Sequence, residues 1–206
     1  MESPTVIHFV RHGKVHNHSD VYYGRLLGFP LAEVGRGQAA LARDLLRGEV
    51  IAAIYSSPQL RARETAQIRK EPHPNLLMSV SELLDEVYSP FDGCPVEEVE
   101  KRNWDVYSHG NPGYERPEDV LARARRYIRG VRIGHLGQQV VAVTHGDLIA
   151  FVILWVKGIP VTPQNKQALY EDQLVAPASI TTLAFHSTNP DEIPLMEYRD
   201  PAQQTT

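Results

Sequence analysis

Short apolar runs bounded by polar turns alternate along the chain with segments of helical period, and this alternation constrains the fold more than any other feature. Val6 to Val10, Val50 to Tyr55, Leu76 to Val80, Val140 to Val143 and Ser179 to Phe185 are shorter than an ordinary helix and read as strands. Between them, Ala32 to Leu46 places Val34, Ala39, Leu41, Ala42, Leu45 and Leu46 at helical spacing, with Gly48 as the stop. Ser57-Pro58 opens a second helix carrying Leu60, Ala62 and Ala66. A third starts at Arg116-Pro117-Glu118-Asp119, with Pro in its first turn, acids after it and Arg125, Arg126 and Arg129 late. Its buried stripe is Val120, Leu121, Ala124, Tyr127, Ile128 and Val131. Strands separated by helices make a mostly parallel sheet covered on both faces. The expected class is α/β, a three-layer αβα sandwich.

The 206 residues suit one domain, 1–206, with ample length for a core. Residues 86–117 hold Pro90, Pro95, Pro112, Pro117 and Trp104 and read as a cap-like excursion; residues 187–206 read as a polar tail. The apolar run Leu148 to Val156 has nine residues, whereas a membrane-spanning helix needs about 20. It reads as a core helix starting at Asp147. With 25 acidic against 21 basic residues the net charge is −4, so no basic footprint for nucleic acid or anionic lipid is present. Neither nucleic acid nor membrane is expected as a partner. Cys94 is the single cysteine, and the opening MESPTVIHFVRHG lacks the apolar stretch of a signal peptide. A cytoplasmic location is expected. The sequence leaves oligomeric state open, a homo-oligomer included.

A local pattern then occurs three times. Val10-Arg11-His12-Gly13 follows the first strand, Val143-Thr144-His145-Gly146 a late one, and Ser56-Ser57-Pro58 the second, with Arg61 one turn into its helix. Open parallel sheets bind ligands beyond the carboxyl ends of their strands. If these strands are neighbours, Arg11, His12, Arg61 and His145 converge there, and Gly13 and Gly146 let backbone approach a ligand. Two arginines and two histidines in one crevice ask for an anion: Arg meets phosphate oxygens two at a time and stays charged. A cationic surround lowers a neighbouring His pKa, and a neutral imidazole against phosphate is a nucleophile. The chemistry inferred is phosphoryl transfer.

The same residues resemble the RHG signature of the histidine phosphatase superfamily, which contains cofactor-dependent phosphoglycerate mutases and many phosphatases. Leu31-Ala32-Glu33-Val34-Gly35 with Gln38-Ala39 is similar to its PLTxxGxxQA segment, and Ser56 to Ala62 with Thr65-Ala66 to its SSPLxRAxxTA helix. Leu84-Asp85-Glu86 looks like the L-x-E that carries the acid, Asp92-Gly93 like the later WEG, and Thr144-His145-Gly146 like the second His motif. The resemblance implies that His12 accepts the phosphoryl group and Glu86 donates the proton. It further implies that Arg11, Arg61, His145 and the Gly146 turn complete the phosphate pocket, with Asn17 as a further ligand. This chain has Lys14 where Glu is usual, Asn17 five rather than six residues past His12 with His18 in that slot, and Ala32 in place of a capping Ser or Thr.

The expected activity is a metal-independent phosphatase acting on a small phosphorylated metabolite, without a cofactor. Val87 to Gly93 does not look like the HYGxLxGLNK segment that follows the acid in mutases. The alternatives are a mutase-like phosphotransferase or isomerase, and a non-catalytic module that binds a phosphorylated ligand. Glu82, Asp85 and Asp92 compete with Glu86 for the acid's role. The quartet His8, His12, His16 and His18 lacks the Cys or HExxH that would support a metal site. Arg25 is expected as a surface charge, Cys94 as a small filler, and Tyr22, Tyr23, Trp104 and Tyr107 as core or cap packing.

Overall fold

The structure, a computed structural model, describes residues 3–71, 74–108 and 110–203. Six strands form one sheet: β1 (Thr5–Arg11), β2 (Ile51–Ser56), β3 (Met78–Val80), β4 (Gln139–Thr144), β5 (Ile180–Phe185) and β6 (Leu195–Arg199). Their spatial order is β3-β2-β4-β1-β5-β6. The pairs β1–β4, β4–β2 and β2–β3 are parallel, while β5 is antiparallel to β1 and β6 to β5. The helices are α1 (Glu33–Leu45), α2 (Leu60–Lys70), α3 (Val96–Glu100), α4 (Pro117–Gly134), α5 (Gly146–Val156) and α6 (Pro163–Glu171). The sheet is mostly parallel with helices on both sides, as the alternation of runs required.

Strand alternation divides the core in two. Ile7, Phe9, Ala53, Val140, Ala142 and Leu183 face α4, α5 and Leu169 of α6. Val10, Ile54, Val141, Val143 and Ile180 face the small residues of α1 and α2, among them Ala42, Ala62 and Ala66. His8 lies on this second side, buried, with its ring nitrogens against Thr182 Oγ1 at 3.0 Å and Gln139 Oε1 at 2.8 Å. It is a satisfied core residue. α4 begins where expected: Asp119 accepts the Arg116 backbone N–H at 2.9 Å, and Pro117 occupies the first turn.

What matters for function is the register. Arg11 is opposite Thr144 in the β1–β4 ladder, and Ser56 is opposite Val143 in the β2–β4 ladder. Three adjacent parallel strands therefore end at one level, and the chain leaves each of them through one of the polar turns identified above.

The structure departs from expectation at three places. Val34 and Leu60, apolar members of the helices expected there, are 56% and 39% exposed, because each opens the first turn of its helix on the outer face. Leu195–Arg199, within the expected polar tail 187–206, is the edge strand β6. It has one neighbour and an alternating, largely exposed set of side chains, so nothing in it needed to be apolar; residues 204–206 lie outside the described residues. The helix α6 was not expected, although Thr162-Pro163 is a helix start: Thr162 Oγ1 accepts the Asn165 N–H at 3.2 Å.

A close contact fixes how β1 passes into its loop. A Cβ on Gly13 would lie 2.3 Å from the Gly35 carbonyl oxygen, and one on Gly35 would lie 2.1 Å from the Lys14 carbonyl oxygen. Lys14 N–H is held by Gln38 Oε1 at 2.9 Å, and Gly13 N–H by Thr65 Oγ1 at 3.2 Å. Helix propensity alone favours Gly35→Ala by about 1 kcal/mol. The backbone clash should reverse that sign, giving a loss of about 1–3 kcal/mol by urea unfolding; a variant more stable than the parent would show the contact is loose.

Candidate active site

The first turn delivers His12, 3% exposed, at the end of β1. Its Nδ1 lies 2.8 Å from the Gly13 carbonyl oxygen, an acceptor only, so Nδ1 carries the proton and donates. That leaves Nε2 with a free lone pair, facing the Arg61 Nε–H at 3.3 Å. Burial first, then the charge of Arg61, the neighbouring His145 and Arg11 hold the His12 imidazole well below its ordinary value. It is neutral at pH 7.

His145, the last residue before α5, is fully buried, and its ring meets that of His12 edge to face at 5.2 Å between centroids. Its Nε2 lies 2.7 Å from Ser57 Oγ, and Ser57 Oγ–H donates to Asp85 Oδ1 at 3.2 Å. Burial is again the leading cause that lowers the His145 pKa, opposed by Glu86.

Arg61 ties the strand ends together. Its guanidinium is 0% exposed and donates from Nη2 to the Gly24 carbonyl at 2.8 Å and Glu86 Oε2 at 3.3 Å, with His145 Nδ1 at 3.2 Å from the same nitrogen. The group also lies over the Tyr23 ring at 4.7 Å. Glu86 Oε2 is 3.1 Å from His145 Nδ1, and Oε1 accepts the Val87 N–H at 3.0 Å. Burial by itself raises the Glu86 carboxyl, but His145, Arg61 and the Val87 amide together draw it well below the usual carboxylate range. In the unliganded site Glu86 is ionised. Its rivals are elsewhere: Glu82 is exposed, Asp85 is engaged by Ser57 and Gln59, and Asp92 accepts the Arg25 amide at 2.9 Å.

Arg11 closes the site from the α6 side. Its Nη1 donates to the Val175 carbonyl, its guanidinium lies over the Tyr170 ring at 5.3 Å, and its Nε is buried with no protein acceptor. A buried donor without an acceptor is rare and costly, and this one lies beside Gly146, whose added Cβ would be 3.1 Å from it. The same Cβ would be 2.1 Å from Tyr170 Oη, which explains glycine there. Arg11, His12, Glu86 and Gly146 line a cavity of about 400 Å³, within the range of small-molecule sites.

Asn17 also lines this cavity, but its amide is spent within its own turn, Nδ2 donating to the Val21 carbonyl at 2.9 Å and Oδ1 accepting the Val21 N–H at 3.4 Å. Tyr22, Tyr23 and Trp104, expected as packing, form cavity wall, whereas Tyr107 packs on Phe151 as expected. Arg25 is turned inward, toward the Glu86 backbone. Among the lining residues whose place here escaped the sequence reading are Asp147, Lys166 and Tyr170. Asp147 accepts from Tyr107, from Tyr170 at 2.7 Å and from the buried Lys166 ammonium at 3.1 Å. Their only sequence signal is that Asp147 directly follows His145-Gly146; the others sit on the unexpected helix α6.

Ligand atoms of His12, Glu86 and His145 lie within 4.8 Å of one another, a spacing that a metal ion could use. Arg61, however, already contacts all three at 3.2 to 3.3 Å. A cation among them would face a guanidinium, so the donor set does not suit a metal. Of the histidine quartet, His16 and His18 stack on each other at 5.9 Å and His8 is in the core.

The sequence profile of the histidine phosphatase superfamily, branch 1, matches residues 7–192. An uncharacterized protein of Mycobacterium tuberculosis is 33% identical over 153 residues, 70% of this chain and 75% of that protein. A protein of Hydrogenobacter thermophilus named putative phosphoserine phosphatase 2 is 28% identical over 163 residues, 74% and 79% of the two chains. Among solved structures, a mycobacterial glucosyl-3-phosphoglycerate phosphatase superimposes with a TM-score of 0.77 at 25% identity, over 96% of this chain and 99% of the other.

The tautomer and charge assigned to His12 are open to direct measurement. In ligand-free protein its ring resonances should titrate below the 6.5 of a free imidazole, because the ring is buried and protonation must be made beside Arg61 and Arg11. A midpoint at or above 6.5 by NMR would remove the neutral nucleophile.

Proposed function

From a chain that belongs to branch 1 of the histidine phosphatase superfamily, we propose a phosphatase that hydrolyses a phosphomonoester of a small metabolite through a phosphohistidine on His12. The observation that carries this reading is the His12 Nδ1–H···O=C contact at 2.8 Å, which leaves a neutral Nε2 lone pair in a crevice walled by Arg61, His145 and Arg11. An anion entering there meets the unsatisfied Arg11 Nε and the amide-rich start of α5 at Gly146. The phosphatase activity named for similar proteins supports the same direction.

In the first half-reaction the Nε2 lone pair forms a bond to phosphorus while the bond from phosphorus to the ester oxygen breaks. The electron pair leaves on that oxygen, which takes a proton from Glu86. Glu86 is ionised before substrate arrives, but a phosphate dianion beside Oε2 competes for Arg61 and reverses the local field, raising the carboxyl. The complex therefore takes up the proton that the leaving group needs. In the second half-reaction water attacks phosphorus, the phosphorus–nitrogen bond breaks, and Glu86, now ionised, accepts the water proton. Arg61 and Arg11 face charge on the non-bridging oxygens throughout. The His12 Nδ1–H keeps donating to the Gly13 carbonyl and steadies the imidazolium character of the intermediate.

The cavity sets the substrate's size. About 400 Å³ walled by Tyr22, Val96, Trp104 and Val106 beyond the phosphate end admits a metabolite and not a folded protein surface.

His12→Ala should abolish phosphate release from a panel of phosphorylated metabolites, while EDTA leaves the parent enzyme unchanged; substantial turnover by the variant would eliminate the covalent route. Arg61→Met should lower kcat/KM by about 10²- to 10³-fold, the usual cost of one donor aimed at developing charge. Incubation with 3-phosphoglycerate and a bisphosphate primer should yield phosphate, and isomer without phosphate would make the chain a mutase.

A further inference from the structure

Glu86 stands on irregular backbone. Residues 85–89 belong to no helix or strand, so no ladder holds the one carboxylate that touches both His145 and Arg61. Catalytic groups on loops are usually too loosely placed unless surrounding bonds fix them. Here the backbone of Glu86 is gripped at both its polar atoms. Its N–H donates to Asp85 Oδ1 at 2.7 Å. Its carbonyl accepts Arg25 Nε–H at 2.7 Å and Arg123 Nη2–H at 3.1 Å.

The two guanidiniums, like charges sharing one acceptor, are held together by Glu115. Its Oε1 accepts Arg123 Nε–H at 2.6 Å, and its Oε2 accepts Arg25 Nη2–H at 3.1 Å, Arg123 Nη2–H at 3.3 Å and Tyr88 N–H at 2.8 Å. Arg123 further donates to the Leu83 carbonyl at 3.1 Å, just ahead of the acid. The partners come from three parts of the chain: Arg25 from the loop after β1, Glu115 from the 86–117 excursion and Arg123 from α4. None of them lines the cavity. A surface-only role does not explain them, since Arg123 is 7% exposed and both arginines point inward to a single carbonyl.

We propose that Arg25, Glu115 and Arg123 form a clamp of positioning residues that aims the Glu86 carboxyl at the leaving oxygen. Through Glu115 the clamp makes the acid's aim depend on where the excursion lies. The inference rests on Glu86 being the proton donor.

An acid matters in proportion to how poor the leaving group is, and this separates a positioning role from a merely structural one. p-Nitrophenolate leaves with little help, whereas the alkoxide of glycerol phosphate requires a proton. General acids contribute about 10²- to 10⁴-fold, and misplacement by about 1 Å loses up to about 10²-fold of such an effect. Glu86→Gln is the reference: its kcat/KM should fall at least about 10²-fold further on glycerol 2-phosphate than on p-nitrophenyl phosphate. Arg25→Met and Glu115→Gln should show the same selective loss at about tenfold, with Arg25→Lys recovering part of it. Arg25 is partly exposed and Glu115→Gln keeps its shape, so both variants avoid the folding risk of altering Arg123. Equal losses on the two substrates, or no loss, in Arg25→Met and Glu115→Gln alongside a selective Glu86→Gln would overturn the clamp alone. A Glu86→Gln variant with no selectivity would overturn the acid assignment beneath it.

Discussion

A guanidinium with no exposed surface organises this protein. Taking Arg61 out of water costs several kcal/mol unless its donors are matched, and the fold matches them with a carboxylate, a backbone carbonyl and the His12 Nε2, with the His145 ring packed alongside. Those groups come from β1, from the loop after it, from the segment preceding Val87 and from the end of β4, so the strand ends cannot drift apart without stranding a charge. The same charge keeps both imidazoles unprotonated: burial lowers His12 and His145, and Arg61 adds to it in each case. The neutral state of both imidazoles and the convergence of the strand ends thus share one buried ion.

That arrangement also makes the free site a placeholder. Glu86 Oε2 bonds to Arg61 and approaches His145 within 3.1 Å, occupying the positive field that an incoming phosphate requires. Ligand and carboxylate compete for one guanidinium, and the loser must change its protonation. Because both oxygens cannot remain anionic at that range, binding and proton uptake are coupled by electrostatics alone. No moving domain is needed for the switch between ionised and protonated Glu86. What is needed is that the carboxyl not swing away when Arg61 is taken from it, which explains why the backbone of Glu86, and not its side chain, carries the extra bonds.

The legible part of the fold was the part where hydrophobic pattern and topology coincide. Strands such as Val6 to Val10 and Val140 to Val143 are buried on both faces, so their runs are continuous, and the turns that follow them carry His12 and His145 at fixed offsets. β6 was illegible because an edge strand with solvent on one side asks little of its side chains. Asn17 was implied as a ligand although it stands one residue short of the motif's slot, and a short turn satisfies both ends of its amide. Arg25 looked like surface charge, because nothing local reveals that Glu115 and Arg123, about ninety to a hundred positions on, will draw it inward. Spacing predicts contacts within an element; contacts made through folding of an irregular segment leave no period to read.

The cavity wall shows the same division with a functional consequence. At one end of the cavity Arg11, His12, Arg61 and His145 hang from strand ends or the first turn of a helix, and rigid placement suits an anion of fixed geometry. Away from it, Tyr22 and Trp104 come from irregular chain and Lys166 from α6, where the ammonium is shared between Asp147 and the Trp104 carbonyl. That carbonyl belongs to the 86–117 excursion, which also supplies Glu115 to the bonds around Glu86. A displacement of Trp104 would therefore pull on the same segment that supplies Glu115 to the Glu86 backbone. The far wall of the cavity and the placement of Glu86 are thus mechanically joined, so on the proposed mechanism discrimination between substrates would fall in the chemical step as well as in binding.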